Sequence, residues 1–417
     1  MNTPIETANR STARLGGWPV MVAYALVCAA TQVLWLTYAA VTTETARRYG
    51  VSVGAVGLLA EIFPLLYVVL AIPAGALLDR WFRPALVAGG LFVGAGGLIR
   101  VAGETFAWAM AGQIVVAIAQ PVVLSAVSKL AGEYLPRSQR AAGISLGSAG
   151  SFVGMLLALI LGPTVGGHGQ LERLLDIEAV LALVAAFALA GALRRPGGSG
   201  LEHAAIAKNV ARILWAQPRM RALCGIVFIG FGVFVALATW LQTLLHPSGV
   251  SEATAGALLV GMVLAGVFGC AALPQLIARR GWERAFMLCA VLASCVGCVA
   301  LGVVPVLGIR VVAVAVMGLF LLSALPVVLT ATERFAGPVA GTAGAIVWMA
   351  GNLGGLIVAF VVQILVHEPP VAFLVLAGVS LLGLPLVTHL RTPASASEPR
   401  ATPQADGVLL HADRPRW

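Results

Sequence analysis

The chain alternates long apolar runs with short polar breaks. Twelve runs stand out, at residues 18–43, 53–78, 85–103, 108–132, 141–161, 177–193, 222–245, 253–277, 285–304, 311–332, 342–366 and 371–390. Crossing a bilayer as a helix takes ~20 residues, so each run is predicted to be one span. The longest polar break covers 194–221. Within it, residues 201–217 put Ile206, Val210, Ile213 and Leu214 on one helical face, with Lys208 and Arg212 off it. That pattern predicts an amphipathic helix lying on the membrane surface. Residues 1–17 are polar, and the apolar run after them is too long for a signal-peptide core, so it is read as a retained first span. The polar, Pro-rich stretch 391–417 is predicted to be disordered.

The pattern repeats. Residues 121–132 read PVVLSAVSKLAG and residues 326–337 read PVVLTATERFAG, with seven of twelve positions identical. Ala142-Gly143, Ala149-Gly150 and Gly154 recur as Ala343-Gly344, Ala350-Gly351 and Gly355, and Gly50-Val51-Ser52 recurs as Gly249-Val250-Ser251. Three segments agree on an offset near 200, which predicts two homologous halves of six spans.

Composition sets the solvent. The chain is 60% hydrophobic and 10% charged, against roughly 25% charged in soluble domains, so lipid is the predicted surroundings. The net charge of +9 sits in short breaks rather than in a nucleic-acid-binding patch. Of the 26 Lys and Arg, Arg47, Arg48, Arg100, Arg173 and Arg310 fall on one side and the rest on the other. The positive-inside bias then puts both termini in the cytoplasm and the protein in the inner (plasma) membrane. All six cysteines lie inside apolar runs, Cys295 and Cys298 as a CxxC without a His partner, and read as small packing residues. No disulfide framework, metal cluster or cofactor is implied. An enzyme would need a nucleophile–His pair, paired acids or a metal site, and none is visible. No phosphate-cradling glycine loop is present, so energy would come from a gradient.

The expected architecture is therefore all-α and integral to the membrane, with twelve transmembrane helices. Its divisions are a cytoplasmic segment 1–17, a first half 18–193, a linker 194–221, a second half 222–390 and a tail 391–417. Two parallel halves are the plan of major facilitator transporters, which bind solute between the halves at the bilayer midplane.

Residues after span 2 carry a closer resemblance. Gly75-Ala-Leu-Leu-Asp79-Arg80-Trp-Phe-Arg83-Pro84 resembles the major facilitator signature G-x-L-x-D-R-x-G-R-[RK]; Gly75, Leu77, Asp79, Arg80 and Arg83 match, while Phe82 and Pro84 depart. The resemblance implies a latch that closes the halves on the cytoplasmic side. An acid at a helix C-terminus is disfavoured by the dipole and calls for a cation or another helix's N-terminus. Ala119-Gln120-Pro121, Leu124, Lys129-Leu130-Ala131 and Tyr134, with Trp35-Leu-Thr-Tyr38 and Tyr49-Gly-Val-Ser52, are similar to the transporters related to the feline leukaemia virus receptor. That resemblance implies choline-like amines, with haem also proposed, and a cavity lined by Trp35 and Gln120. Gly162-Pro163-Thr-Val-Gly166-Gly167 resembles the G-P-x-x-G-G of drug–proton antiporters.

Candidate chemistry follows from polar and aromatic residues inside the spans. Glu61 reads as the one acid well inside a span; a carboxyl there faces a cavity or a partner, and it is the candidate for proton coupling. Thr31, Trp35, Tyr38 and Thr42 share one face of span 1, and the repeat offset sets Phe234 opposite Trp35. Facing rings suit a cation. Gln120 precedes a kinking Pro121 in span 4, and Trp240, Gln242, Trp348 and Asn352 are second-half candidates. The glycines of spans 5 and 11 form small faces that would serve either a moving seam or a static one. The leading reading is a monomeric secondary active transporter of a small organic solute, a cationic or zwitterionic amine for preference. A proton-coupled exporter of drugs or metabolites and a transporter-like receptor or channel stand beside it. Partners are then a small-molecule substrate, the bilayer and protons, with no nucleic acid.

Overall fold

The computed structural model describes residues 17–166, 169–194 and 209–388. The expectations for 1–16, for most of the linker including Ile206 and Lys208, for Gly167 and for the tail lie outside the described residues. The first half comprises α1 (Trp18–Ala40), α2 (Thr42–Tyr49), α3 (Val53–Arg80), α4 (Phe82–Val101), α5 (Phe106–Ser125), α6 (Val127–Tyr134), α7 (Arg140–Leu161) and α8 (Leu171–Ala192). After α9 (Val210–Ala216) come α10 (Pro218–Leu245), α11 (Glu252–Arg280), α12 (Glu283–Val303), α13 (Leu307–Ala336), α14 (Ala340–Ile364), α15 (Pro369–Leu381) and α16 (Gly383–Thr388). Among the described residues, eleven apolar runs are long enough to cross a membrane, and the longest of them, Leu307–Ile364, contains both α13 and α14. Their outer faces are apolar and exposed, as at Val69, Phe187 and Phe268, which is how a bundle meets lipid.

Three predicted spans are broken. Span 1 ends at Ala40 and turns into α2, whose end is closed by left-handed Gly50 (φ 62°). Span 4 breaks at Ala126, shortly after Pro121, into α5 and α6. Proline removes a backbone donor and crowds the preceding turn, so the ladder is weakest there. Span 12 breaks at Leu382. Span 6 starts earlier than predicted, at Leu171 rather than 177. Glu172, Arg173 and Asp176 mark its first turns as polar, but they lie exposed while Leu171, Leu174 and Leu175 point inward.

The duplication is visible in the packing. In the first half α1 packs on α7, α3 on α5, and α4 on α8; in the second α10 packs on α14, α11 on α13, and α12 on α15. The Gly-Val-Ser repeat has a physical reason. Gly50 and Gly249 (φ 62° and 78°) adopt the left-handed turn that L side chains avoid. Ser52 and Ser251 then cap α3 and α11, accepting from Ala55 N and Thr254 N. The glycines of spans 5 and 11 let helices approach closely. Gly150 and Gly154 lie against the backbone of Ala25 and Ala29 on α1, and Gly354 against Phe228 on α10. They bring helices together within each half, whereas Gly344 faces Ser125 across the halves.

Between the halves, α3 packs on α14 and α11 packs on α7. In the linker, α9 buries Leu214 and leaves Ile213, Trp215 and Arg212 exposed. Ile213 therefore does not share Leu214's inward face, because the short helix rests on α10 and α14 along one narrow edge.

Candidate functional site

A space of about 280 Å³ lies where the halves meet, lined by Gln32, Trp35, Gln120, Leu124, Ser151, Phe152, Met155, Phe231, Trp348 and Asn352. It draws on α1, α5, α7, α10 and α14, so neither half forms it alone. Four lining residues are aromatic and none is charged. Trp35 donates from Nε1 to the Ala60 carbonyl at 3.0 Å, which fixes its ring edge on α3, and its face lies 6.3 Å from Phe63. Trp348 stands beside Tyr67 and Phe231, with ring centroids 6.3 and 6.0 Å away. Two polar atoms on this wall are buried and unpartnered: the acceptor Gln32 Oε1 and the donor Trp348 Nε1. Buried polar groups find partners as a rule, so these two lining residues each carry an unmet hydrogen-bonding group.

Of the residues singled out from sequence, Trp35, Gln120, Trp348 and Asn352 line this space. Phe234 stands one ring behind it, 5.8 Å from Phe231 and 6.3 Å from Phe152. Trp240 turns away to donate to the Ala359 carbonyl at 3.1 Å, and Gln242 is exposed. Tyr38 is fully buried and bound to Arg100 instead. The cavity face of α1 is thus Gln32 and Trp35, three residues apart, rather than the Thr31–Thr42 stripe. Gln32 was the missed residue; an amide one turn from a Trp inside an apolar run was its signal. Glu61 is exposed and lies outside the lining.

Glu61 is not alone among acids within the spans. The early start of α8 places Glu178 seven residues beyond Leu171, inside the bundle and 1% exposed. It pairs with Arg100, also 1% exposed, at 3.1 Å.

The second constellation closes the far end of the cleft. Asp79, the penultimate residue of α3, reaches across to the first turn of α14. Its Oδ1 accepts from Gly341 N at 3.0 Å, and its Oδ2 from Thr342 N at 2.9 Å and Thr342 Oγ1 at 2.6 Å. The free N–H groups and positive dipole end of a helix suit a carboxylate. Lys129 of α6 completes the site, donating to Asp79 Oδ1 at 3.2 Å and to its carbonyl at 3.0 Å. Gly75 permits the approach: a Cβ there would stand 2.7 Å from Thr342 Cα. Arg80 stacks over Trp81 at 4.6 Å and Arg83 lies over Tyr134 at 5.8 Å, both within the first half. At the same end Arg140 pairs with Glu333 across the halves at 2.6 Å, and Ser128 donates to the Leu329 carbonyl at 3.3 Å. These bonds between halves all sit at one end, so the seam is shut there.

Comparisons with known proteins agree with this layout. Solute carrier family 49 member A3 of Danio rerio is 27% identical over 390 residues, covering 87% of this chain and 82% of its own. An uncharacterized protein of Archaeoglobus fulgidus is 31% identical over 137 residues, 32% of this chain and 61% of its own. Among solved structures, the human organic anion transporter MFSD10 (TETRAN) aligns with TM-score 0.73 at 18% identity, over 89% of this chain and 98% of that one. The transporter FucP in its outward conformation aligns with TM-score 0.71 at 14% identity, over 89% and 99%. The family model of the Major Facilitator Superfamily matches residues 20–359. With two six-helix halves and a shared central space, the chain belongs to the Major Facilitator Superfamily.

Proposed function

We propose that this multi-pass membrane transporter moves a small cationic or zwitterionic amine by alternating access, with the solute held between Trp35, Phe152, Phe231 and Trp348. As a secondary transporter, it needs a central site that each half can open to one side. The observation that carries the substrate class is the lining: four aromatic rings and no charged side chain. Aromatic faces attract a cation more strongly in a desolvated site, by ~2 kcal/mol or more per good contact. One structural neighbour is titled an organic anion transporter. An anion here would meet ring faces and no Lys or Arg, so the lining disfavours that chemistry for this chain. The charge bias supports cytoplasmic termini in a plasma membrane, with the Asp79 latch on the cytoplasmic side, and this structure is then the outward-facing state of a monomer.

Flux into proteoliposomes tests the reading. Choline-like amines are expected to enter saturably, with Trp35→Ala and Trp348→Ala each raising KM about tenfold or more through one lost cation–π contact. Dye efflux that requires a pH gradient, with no amine flux, would favour a drug exporter instead. Amine binding with no flux in any direction would favour a receptor.

A further inference from the structure

The cluster around Glu178 is not part of the cavity lining. It sits in the first half, near the end of α1, on the opposite side of the cavity from the latch. Glu178 Oε2 accepts from Thr37 Oγ1 at 2.6 Å and from Arg100 Nη2 at 3.1 Å. Arg100 Nε donates to Tyr38 Oη at 3.2 Å, and the guanidinium lies 4.7 Å from that ring's centroid. The pair is monodentate. Arg100 Nη1 and Glu178 Oε1 are both buried and have no partner.

A pair retained only to hold helices together would be poorly chosen. Burying two charges costs more than the attraction returns unless every lone pair and proton is used, and here one nitrogen and one oxygen are idle. The duplicated half shows that the seam needs no charge. Its matching helices, α12 and α15, meet through a Ser294–Ser380 hydroxyl contact of 2.7 Å. An ionisable group inside a membrane bundle marks function by default.

We propose that Glu178 is the transporter's proton-binding group, linked through α1 to the central cavity and to the rocking of the halves. The inference rests on the chain being a secondary transporter, not on the identity of its solute. A hydronium ion gives its proton to the free Oε1, one O–H bond breaking there as one forms on the carboxyl, and leaves as water. The carboxylate becomes a neutral carboxyl, and Arg100 loses its counter-ion. The groups facing the pair are Thr37 and Tyr38 from α1, Arg100 from α4 and, from α2, Tyr49, which is within electrostatic reach of Tyr38 and Arg100. The nearby charges of α2 are engaged, Arg48 with Glu172 and Arg47 with Glu44. From α5, Gly112 lies against the Arg100 stem, and the next residue is buried Gln113. Loading reaches the cavity through α1, because Thr37 and Tyr38 follow Trp35 and Gln32 on one rigid helix. On this proposal the ion pair loosens when the latch opens, and linkage then sets the sign: proton uptake disfavours the latch-closed state described here.

The test needs no substrate. Spin labels at Ser138→Cys and Arg279→Cys, two exposed positions on opposite halves at the latch end, report the seam in lipid vesicles, with exposed Cys289 replaced by Ala. The wild-type background should shift from short to long distances as pH falls, with a single midpoint. Glu178→Gln should abolish the pH response, while Glu61→Gln retains it. Thr37→Val, which removes a hydrogen bond to the carboxyl, should move the midpoint. A pH response that survives Glu178→Gln with its midpoint unchanged overturns the proposal. So does a wild type whose distances ignore pH, or a Thr37→Val midpoint that stays put. A chain that carried no amine would fail the flux experiment and could still pass this one.

Discussion

The two halves close on each other through two related seams, and only one carries an acid that caps the facing helix. In the first half, Lys129 of α6 donates to the Asp79 carbonyl at 3.0 Å; at the matching place in the second half, Arg334 of α13 donates to the Ala278 carbonyl at 3.4 Å. The backbone arrangement is duplicated, down to an Arg stacked on a Trp beyond it, Arg80 on Trp81 and Arg280 on Trp282, each at 4.6 Å. The side chain differs. Asp79 spans the seam to α14, whereas Ala278 has nothing to send toward α7. Arg334 turns instead to Glu283 in its own half at 3.2 Å. The fold therefore supplies two places for a capping acid and the sequence furnishes one, with the Arg140–Glu333 pair bridging the halves near the other. The ends of the two helices differ to match. The second-half turn relaxes through left-handed Gly281 (φ 67°), while the first-half turn runs through Trp81 at φ −133° and holds Asp79 against its target.

The comparison breaks most sharply at Asp79. Asp79→Asn leaves Lys129 buried without its counter-charge and cannot accept from both Gly341 and Thr342 with two oxygens. Breaking one member of a buried pair typically costs ~3–5 kcal/mol. The latch-closed population is expected to fall by a factor of about one hundred or more, since 1.4 kcal/mol is tenfold. Distances between labels on the two halves at the latch end read this out. An unchanged distribution would mean that packing alone shuts the seam. Gly75→Ala tests the same seam through shape. Its Cβ would meet Thr342 Cα at 2.7 Å, backbone that can yield only if the helices part. Overpacking of this kind costs ~1–3 kcal/mol, so the closed population should drop by about ten- to a hundredfold. Alanine at Gly57, whose Cβ would meet nothing within 4 Å, is the control that should leave it alone.

Much of this was legible in the chain, and the illegible part has a common cause. Span number and the halves follow from local patterns that repeat in register. Gly75 and Asp79 stood out because the motif shares their spacing. Lys129 did not, because nothing in a sequence says which loop cation folds back onto which acid. Gln32 was overlooked because the choice of face on α1 was anchored on Thr31, one residue or about 100° of rotation away. Glu178 was hidden by the polar residues just before it. Glu172, Arg173 and Asp176 look like a loop in one dimension and are the exposed edge of α8 in three. Arg100 was counted as a loop charge and is among the most buried side chains of the molecule. Lys129, Arg100 and Glu178 are polar residues whose partners lie on other helices, which no local pattern shows.

The smallest effect expected is also the most informative about the asymmetry. Ala278→Asp places an acid where the duplicated backbone already presents it, beside the Arg334 that donates to the Ala278 carbonyl. Two outcomes compete. The new carboxylate can pair with Arg334 within its own half, displacing Glu283, or it can reach α7, the helix that α11 packs against. Arg334 is half-exposed in its present pair, and such pairs contribute at most ~1 kcal/mol. The first outcome should therefore leave the seam distances as they are. The second would favour the closed state by up to about fivefold, and the same pair of labels would show it as a narrower short-distance peak. If the acid alone recreates the lock, side-chain identity explains why one seam latches and the other does not. If it fails while Asp79→Asn opens the first seam, the difference lies in the turn. Trp81 there would be holding the acid in place, and Gly281 would be letting it swing free. Adding Gly281→Ala to Ala278→Asp would then decide, because an L side chain is strained at that φ and would force the second turn out of its relaxed form.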